Sequence, residues 1–257
     1  MLRLVVGLMF FMHIAWCFGE TGTHLKATFD HSHDAFTQVL QKVVHPQGRA
    51  SRVDYRQLTQ DPDRLSTYLA TLSSVSQQQF NGFTKPQQLA FLINAYNGYQ
   101  LKLVIDNYPI GSIKDVGNFF RSPWDIEFFQ LFGDDASLNL IEHGMIREQF
   151  NEPRIHFAVN CASISCPPLQ RVAFQAVQLD EQLEAATVNF LNDESVNRVD
   201  PNSNRLLVSK IFDWYGEDFD DVTAFILSKM QGVESSNQAF KLDYLDYDWG
   251  LNQLVIE

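Results

Sequence analysis

The sequence predicts a single α+β domain that is mostly helical and contains a small β-sheet. The chain has 257 residues, of which 45% are hydrophobic and 19% charged, so it has enough apolar material for one well-packed core. It contains no internal repeat, low-complexity tract or long Gly/Ser linker that would separate two domains. Helical segments and a few short β-rich runs follow one another in mixed order, which is typical of an α+β fold rather than of a regular doubly wound sheet.

Six segments are predicted to be helices: residues 30–44, 62–72, 85–108, 137–150, 180–191 and 213–230. The clearest is 85–108, because Thr84 and Pro86 are typical of a helix start and Pro109 cannot continue the helix. Ser137 is a good N-cap for the helix that follows it.

Three short runs predict strands. The aromatic-rich run 127–132 leads into a Gly-Asp-Asp turn, and Arg205–Val208 follows a turn that contains Pro201. The third run, Arg154–Val159, is rich in residues that favour strands and predicts a buried one.

The N-terminus predicts export. Arg3 precedes an apolar run over residues 4–18, too short for a comfortable membrane span and typical of a signal peptide cleaved after Gly19; an uncleaved anchor is the alternative. Later segments lack a comparable run, so we expect a soluble mature protein in the periplasm or outside the cell. The predicted organisation is a signal peptide over 1–19, a helical lead-in over 20–49 and one domain over 50–257.

The charge of the chain and the motifs that it lacks argue against several classes of partner and cofactor. The net charge is −12 and no basic stripe is visible, which argues against nucleic acids and anionic membranes as partners. The signatures of nucleotide-binding proteins, zinc peptidases and serine hydrolases are missing, so no cofactor is predicted. A small-molecule or peptide substrate is the expected partner, and the sequence does not specify an oligomeric state.

Reactive side chains are concentrated between residues 142 and 166. A thiol nucleophile needs a base and a group that holds that base, and Cys161, His156 and Glu142 are the candidates for these roles. Residues 156 and 161 would point to opposite faces of a continuous strand, so the hypothesis requires the chain to turn after Asn160. Asn160 or loop amides are candidates to stabilise an oxyanion, and Cys166 is a second candidate nucleophile.

Other interpretations of the two cysteines remain open. In an oxidising compartment, Cys161 and Cys166 would form a small structural disulfide by default, and the protein would then be a non-catalytic binding module. A metal site that combines them with His156 and His143 is a further alternative, although the spacing lacks the C-x-x-C pattern of structural zinc. His143 itself is expected on a helix surface, and Glu142 could instead pair with Arg147.

Polar and aromatic residues elsewhere are candidates for substrate binding. Asn94 and Asn97 flank Tyr96 on an otherwise apolar helix, where buried amides need partners. They either bond the core backbone or line a polar cleft. Trp124 is a candidate for the core or a cleft wall, as are Trp214, Tyr215 and Trp249. The acidic cluster 218–221 is expected to be solvated surface.

Four stretches together resemble the family known as domain of unknown function 547: LAFLINAYNGYQ (89–100), SLNLIEHGMIREQFNEPRIHFAVNCASISCPPL (137–169), VSKIFDWYGEDF (208–219) and YLDYDWGLN (244–252). The resemblance covers roughly residues 50–252. It implies a secreted or periplasmic bacterial member of an α+β family that also occurs inside larger plant proteins.

Members of that family look distantly like cysteine-peptidase and transglutaminase-type folds. On this analogy of fold, the family's Glu, His and Cys positions fall on Glu142, His156 and Cys161, with Cys166 as the rival nucleophile. The resemblance therefore implies a thiol hydrolase or transferase that acts on a peptide or another amide, without naming the substrate.

Overall fold

A computed structural model describes residues 28–117, 121–200, 202–233 and 240–255 of the chain. The predicted signal peptide, residues 1–19, lies outside these residues, as does the first part of the predicted lead-in. The fold is α+β and mostly helical with small sheets, as predicted from the sequence. Within the described ranges, no helix has both the length and the apolarity needed to cross a membrane.

Eight α-helices account for most of the regular structure in the described residues: α1 (Asp34–Val43), α2 (Tyr55–Gln60), α3 (Asp63–Ser73), α4 (Gln77–Asn81), α5 (Lys85–Asn107), α6 (Leu179–Leu191), α7 (Ile211–Trp214) and α8 (Val222–Lys229). Shorter 3-10 turns are found at Ile113–Asp115, Pro123–Asp125, Pro153–Phe157 and Gly216–Asp218. The helices predicted at 30–44, 62–72, 85–108 and 180–191 are confirmed to within a few residues.

The strands form three small sheets in the described part of the chain. Two antiparallel pairs join β1 (Val44–Gln47) to β2 (Ala50–Val53) and β3 (Phe129–Leu131) to β4 (Asp134–Ala136). In the third sheet, β6 (Arg205–Val208) lies between β5 (Arg198–Asp200), to which it is antiparallel, and β7 (Lys241–Tyr244), to which it is parallel. The strands predicted at 127–132 and Arg205–Val208 are confirmed, whereas β1, β2, β4, β5 and β7 are not predicted from the sequence; β4 begins within the predicted Gly-Asp-Asp turn.

Helix α5 is the centre of the larger hydrophobic cluster. Its side chains are buried on nearly every face from Gln88 to Val104, so it packs against neighbours all round rather than along one stripe. A capping box between Thr84 and Gln87 fixes its first turn. Gly98 allows the close approach of α3, because a Cβ there would lie 2.9 Å from Cδ2 of Leu69.

Two elements differ from the sequence prediction. The predicted strand Arg154–Val159 is wrong: Pro153 and the Glu152 side chain, which accepts from the Arg154 N–H at 3.2 Å, start a 3-10 turn. Its β-forming residues reflect burial rather than an extended backbone. The single helix predicted at 213–230 is also wrong, because α7 ends at Trp214 and a separate helix, α8, begins at Val222. The Asp221 side chain caps α8 by accepting a hydrogen bond from the Ala224 N–H.

The predicted helix 137–150 is present but contains a π-helix over Leu140–Arg147. Ser137 caps its start as predicted, since its hydroxyl accepts from the Leu140 N–H at 3.2 Å. A π-helix is wider than an α-helix and is often found at functional sites. Here the π-helix places Glu142 in the lining of a cavity and Arg147 beside Asp218.

The 3-10 turn Pro153–Phe157 lies where two hydrophobic clusters meet. Ile155 and Ala158 belong to the cluster around α5, whereas Phe157 belongs to a second cluster built from α6, α7, α8 and the third sheet. His156 is therefore held at the boundary between the two clusters. The candidate site lies along this boundary.

Candidate active site

A cavity of about 260 Å³ opens between the two clusters. It is lined by nine of the candidates named from the sequence: Tyr96, Trp124, Glu142, His156, Cys161, Cys166, Trp214, Tyr215 and Trp249. The remaining lining is mostly apolar or aromatic: Asn139, Val159, Pro167, Ile211 and Tyr247. A concave, largely apolar site with a few convergent polar groups is the usual form of a small-molecule or catalytic site.

Three predicted residues, Asn94, Asn97 and Asn160, do not line this cavity. All three are almost completely buried. Asn94 exchanges hydrogen bonds with the backbone of Phe174, its Nδ2 donating at 2.7 Å and its Oδ1 accepting at 2.9 Å. The placement of Asn94 matches the first of its two interpretations, a bond to the core backbone, instead of the substrate contact.

Asn97 and Asn160 connect α5 to the loop that carries the cysteines. Asn97 donates to the carbonyl of Ala158 at 2.9 Å and accepts from the Asn160 N–H at 2.9 Å. The Asn160 side chain in turn donates to the Pro167 carbonyl at 2.8 Å and accepts from the Ala162 N–H at 2.9 Å. These amides therefore hold the loop in place, and neither of them faces the cavity as a substrate contact.

The chain turns sharply after Asn160, as the thiol hypothesis required. Ala162 adopts a left-handed conformation with φ of 61°, which an L-residue with a Cβ rarely adopts. The bond from its N–H to the Asn160 side chain closes the turn. Backbone bonds then join the loop to the C-terminal segment, from the Ile164 N–H to the Gly250 carbonyl at 2.8 Å and from the Asn252 N–H to the Ala162 carbonyl at 3.0 Å. This pairing brings Tyr247 into the cavity.

Cys161 and Cys166 are both unpaired thiols and lie side by side. Their Sγ atoms are 2.8 Å apart, and the Cys161 N–H donates to Cys166 Sγ at 2.7 Å. A disulfide bond would require about 2.05 Å between the sulfurs. The pair is thus a close dithiol in which Cys161 is partly exposed and Cys166 is buried.

Hydroxyl groups surround the Cys161 sulfur. Its Sγ is 3.2 Å from Ser163 Oγ and 3.1 Å from Tyr247 Oη, and the two hydroxyls are 3.1 Å from each other. Burial opposes ionisation of Cys161, but hydrogen bonds from Cys166, Ser163 and Tyr247 outweigh it and lower the pKa of its thiol to about 7. Burial and the neighbouring Cys161 raise the pKa of the Cys166 thiol, so the two thiols are chemically unequal.

His156 is held by a carboxylate that the sequence analysis did not select. Its Nε2 is 2.6 Å from Oδ2 of Asp218, and its ring stacks on Tyr215 with centroids 4.0 Å apart. Burial lowers the pKa of His156, although Asp218 and Glu142 oppose this effect, so the imidazole is neutral near pH 7. Among the described residues, no direct hydrogen bond joins His156 to Cys161.

The protonation of Asp218 fixes the tautomer of His156. Arg147 contacts both carboxylate oxygens of Asp218 at 2.7 Å and holds the pKa of that carboxyl below its usual range. An ionised carboxylate only accepts hydrogen bonds, so Nε2 of His156 carries the proton and Nδ1 is the basic nitrogen. The prediction of a solvated surface residue is wrong for Asp218, which is half-buried in this network.

Glu142 lies in the cavity but makes different contacts from those predicted. Its carboxylate is buried and lies close enough to the hydroxyl of Tyr215 to affect its pKa. Burial, followed by the charge of Glu142, raises the pKa of Tyr215, which keeps this phenol protonated. The alternative pairing with Arg147 is not observed, because that guanidinium binds Glu217 and Asp218. Glu142 thus contributes negative charge next to His156, while Asp218 makes the direct contact.

The central part of this site lies in a region that matches a known protein family. Residues 80–191 match the family model described as "Protein of unknown function, DUF547". This chain is a DUF547 domain-containing protein. Neither the search of curated proteins nor the search of solved structures gave a match.

The DUF547 region contains α5, the π-helix with Glu142, the 3-10 turn with His156 and the loop with both cysteines. Sequence reasoning missed Ser163, which lies within this region, and it missed Asp218 and Tyr247, which lie beyond it. A signal for the last two exists, because both lie in stretches that carry the family resemblance, 208–219 and 244–252. Across the described ranges of this DUF547 protein, no group of three or more His, Cys, Asp or Glu side chains is arranged to hold a metal ion.

Proposed function

We propose that this DUF547 protein is a thiol hydrolase or transferase that acts on a peptide or another amide, with Cys161 as the nucleophile. The observation that carries the proposal is the Cys161 thiol, whose pKa of about 7 makes it substantially ionised at neutral pH in the same cavity as a neutral, carboxylate-held His156. A nucleophile, a base and a group that orients the base are the parts that such catalysis requires.

Each bond change in the proposed reaction has a group that serves it. Cys161 Sγ attacks the carbonyl carbon of the substrate while its proton passes to Nδ1 of His156. The C–N bond then breaks, and the imidazolium gives this proton to the departing nitrogen, which leaves an acyl thioester on Cys161. Water, or an amine in a transferase, attacks the thioester, His156 takes the proton of this second nucleophile, and the thiolate leaves and is reprotonated.

The neighbouring charges suit these steps. Asp218 keeps the imidazole in the tautomer that can accept a proton at Nδ1, and Glu142 adds negative charge that favours the transient imidazolium. The hydroxyls of Ser163 and Tyr247 favour the thiolate form of Cys161. The aromatic wall formed by Trp214, Tyr247 and Trp249 offers an apolar surface for the substrate.

A second candidate function is a non-catalytic binding module whose Cys161–Cys166 disulfide fixes a recognition loop. The observation that favours it is the 2.8 Å separation of the two sulfurs, because only a small movement of the two side chains is needed to form the disulfide bond. The aromatic cavity would then be the binding site. A permanent disulfide and a nucleophilic Cys161 are mutually exclusive, so one chemical measurement separates the two candidates.

We also propose that the protein is exported to the periplasm or the cell exterior. Arg3 followed by the apolar run over residues 4–18 supports export. N-terminal sequencing of the protein recovered from fractionated cells tests this part. A new N-terminus near Glu20 in the extracytoplasmic fraction is the expected result, and an intact Met1 in the cytoplasmic fraction would contradict it.

The thiol proposal is tested by alkylation of the reduced, folded chain with iodoacetamide from about pH 5 to about pH 9. Cys161 is expected to react first, with a midpoint near pH 7. Peptide mapping assigns the labelled residue, and Cys161→Ser is the negative control. If neither thiol reacts faster than free cysteine near neutral pH, the proposal of an activated nucleophile fails.

A trapping experiment then tests the acyl-transfer step. A panel of peptide amides is incubated with the reduced protein and hydroxylamine, which converts an acyl thioester into a hydroxamate. We expect hydroxamate from at least one amide, no product with Cys161→Ser, and a rate lower by on the order of 10²-fold or more with His156→Gln. A quantitative disulfide in protein isolated without reductant, together with no hydroxamate after reduction, would instead favour the binding module.

A further inference from the structure

The two cysteines differ in their exposure. Both cysteines line the cavity, and Cys161 is partly exposed. Cys166 is only 9% exposed, and its sulfur is 2.8 Å from that of Cys161. Cys161 is therefore the more exposed of the two residues, and any group attached to its sulfur remains within reach of Cys166.

The loop holds the second thiol in this position. The Cys161 N–H donates to Cys166 Sγ, and the Cys166 N–H donates to the carbonyl of Ser163 at 3.2 Å. Asn160 also binds the carbonyl of Pro167, the residue after Cys166. The sulfurs need to approach by less than 1 Å to reach the bond length of about 2.05 Å, so closure requires little change in the loop.

The acidities of the thiols assign them different roles in an exchange reaction. Hydrogen bonding overcomes burial and lowers the pKa of Cys161 to about 7, whereas burial raises the pKa of Cys166. In thiol–disulfide exchange, the thiolate is the attacking species, and a pKa near the ambient pH is optimal for the attacking thiol. Cys161 has the properties of the attacking thiol and Cys166 those of the resolving thiol.

We propose that Cys161 and Cys166 reduce an external disulfide of a small or peptide thiol by thiol–disulfide exchange. This activity goes beyond the proposed amide chemistry, because it uses the same Cys161 thiolate but needs neither a carbonyl substrate nor His156. The aromatic wall of the cavity favours a disulfide with apolar or neutral substituents over a strongly anionic one, since buried Glu142 also faces this space.

The exchange balances in two steps. The Cys161 thiolate attacks one sulfur of the external disulfide, forms a mixed disulfide and expels the other sulfur as a thiolate. Cys166 then loses its proton to that thiolate, attacks Cys161 Sγ and expels the second external thiol as a thiolate. The external disulfide gains two electrons and the protein dithiol loses two; a small thiol or dithiol reductant reopens the Cys161–Cys166 bond by the reverse steps.

The expected rate advantage follows from the acidity of Cys161. At pH 7, a thiol with a pKa of about 7 is half ionised, against about 3% for an ordinary cysteine with a pKa near 8.5. The lower basicity reduces the intrinsic nucleophilicity by about sixfold, taking a Brønsted coefficient of about 0.5. The net expectation is a reaction about threefold faster than that of the same cysteine in the unfolded chain, rising to about fivefold at pH 6.

The test uses the full chain with Cys17→Ser, so that Cys161 and Cys166 are the only thiols. Reduced protein is mixed with bis(2-hydroxyethyl) disulfide or with oxidised glutathione, quenched with acid, alkylated and weighed by mass spectrometry. The chain with both cysteines should lose its two thiols together without a lasting adduct, and excess dithiothreitol should restore both. Cys166→Ser should accumulate one adduct on Cys161, and Cys161→Ser should remain reduced over the same time.

Specific outcomes would overturn this inference. One is a loss of thiols from the folded chain with both cysteines that is no faster, with either probe, than the loss from the same chain unfolded in guanidinium. Another is a stable adduct on Cys161 in the chain that retains Cys166. The hydroxamate assay is independent of these readouts: ring closure without hydroxamate would remove the amide proposal only, whereas hydroxamate without ring closure would remove the exchange proposal only.

Discussion

Replacing Tyr247 by phenylalanine is expected to raise the pKa of Cys161. The substitution removes the hydroxyl 3.1 Å from Cys161 Sγ and retains the ring that packs against Trp214 and Trp249. A hydrogen bond to a charged group contributes about 1.5–3 kcal/mol, and Ser163 and Cys166 remain as donors. The lower value corresponds to a rise of about one pKa unit, from about 7 towards 8.

The assay follows the pH midpoint of Cys161 alkylation rather than one rate. At pH 7, a rise of one unit would reduce the thiolate fraction from about one-half to about one-tenth. The more basic thiolate would be about threefold more nucleophilic, so the rate at pH 7 would fall by less than about twofold. The pH midpoint of alkylation follows the pKa alone and is not offset by the change in nucleophilicity, so it is the more sensitive measurement.

Tyr244→Phe is the matched control, because Tyr244 is exposed on β7 and its loss of a hydroxyl should leave the midpoint unchanged. Thermal unfolding of both variants checks that the cavity wall is intact. A midpoint for Tyr247→Phe within about a quarter of a pKa unit of the wild-type value would refute the assignment of Tyr247 as a donor to the thiolate.

Three further predictions concern other parts of the molecule. Asp218→Asn should lower the pKa of His156, measured by NMR of the imidazole nitrogens, and reduce amide turnover on the order of 10²-fold; an unchanged pKa would contradict the assigned contact. Gly98→Ala should reduce the free energy of unfolding by about 1–3 kcal/mol in urea titrations, because its Cβ would lie 2.9 Å from Leu69, whereas Gly111→Ala, with its nearest atom at 3.6 Å, should have little effect. Burial lowers the pKa of His33 to about 4 in the folded chain. As pH falls from 6.5 towards 4, the unfolded chain therefore binds the proton at His33 before the folded chain does, and the folded state loses stability. This loss is about 3 kcal/mol and should be absent in His33→Asn, which tolerates the left-handed backbone at that position; equal pH profiles for the two proteins would contradict it.

The helices that the sequence predicts well are those whose signals are local. Helix α5 has a capping box, a proline in its first turn and apolar residues throughout, so its limits follow from about two dozen consecutive residues. The failure at Arg154–Val159 has the opposite cause. Isoleucine, phenylalanine and valine are favoured both in strands and in any fully buried segment, and Pro153 decided the backbone conformation there.

In the candidate site, too, the reactive residues that lie close together in sequence could be predicted, and their hydrogen-bond partners far along the chain could not. Glu142, His156 and Cys161 lie within one short stretch of sequence, so their chemistry could be recognised together. Asp218 and Tyr247 reach His156 and Cys161 across sequence separations of 62 and 86 residues. Such contacts depend on how two hydrophobic clusters pack, and composition and periodicity contain no direct record of that packing.

The pairing between the cysteine loop and residues 248–252 also makes the site depend on a segment far along the chain. The same C-terminal segment reaches the N-terminal hairpin, where the Leu254 N–H donates to the Val53 carbonyl at 2.8 Å. A ribosome produces Cys161 well before Tyr247, so a nascent chain carries both thiols before the hydroxyl that favours the Cys161 thiolate exists. The lowered pKa of Cys161 therefore depends on a segment that is synthesised after both thiols.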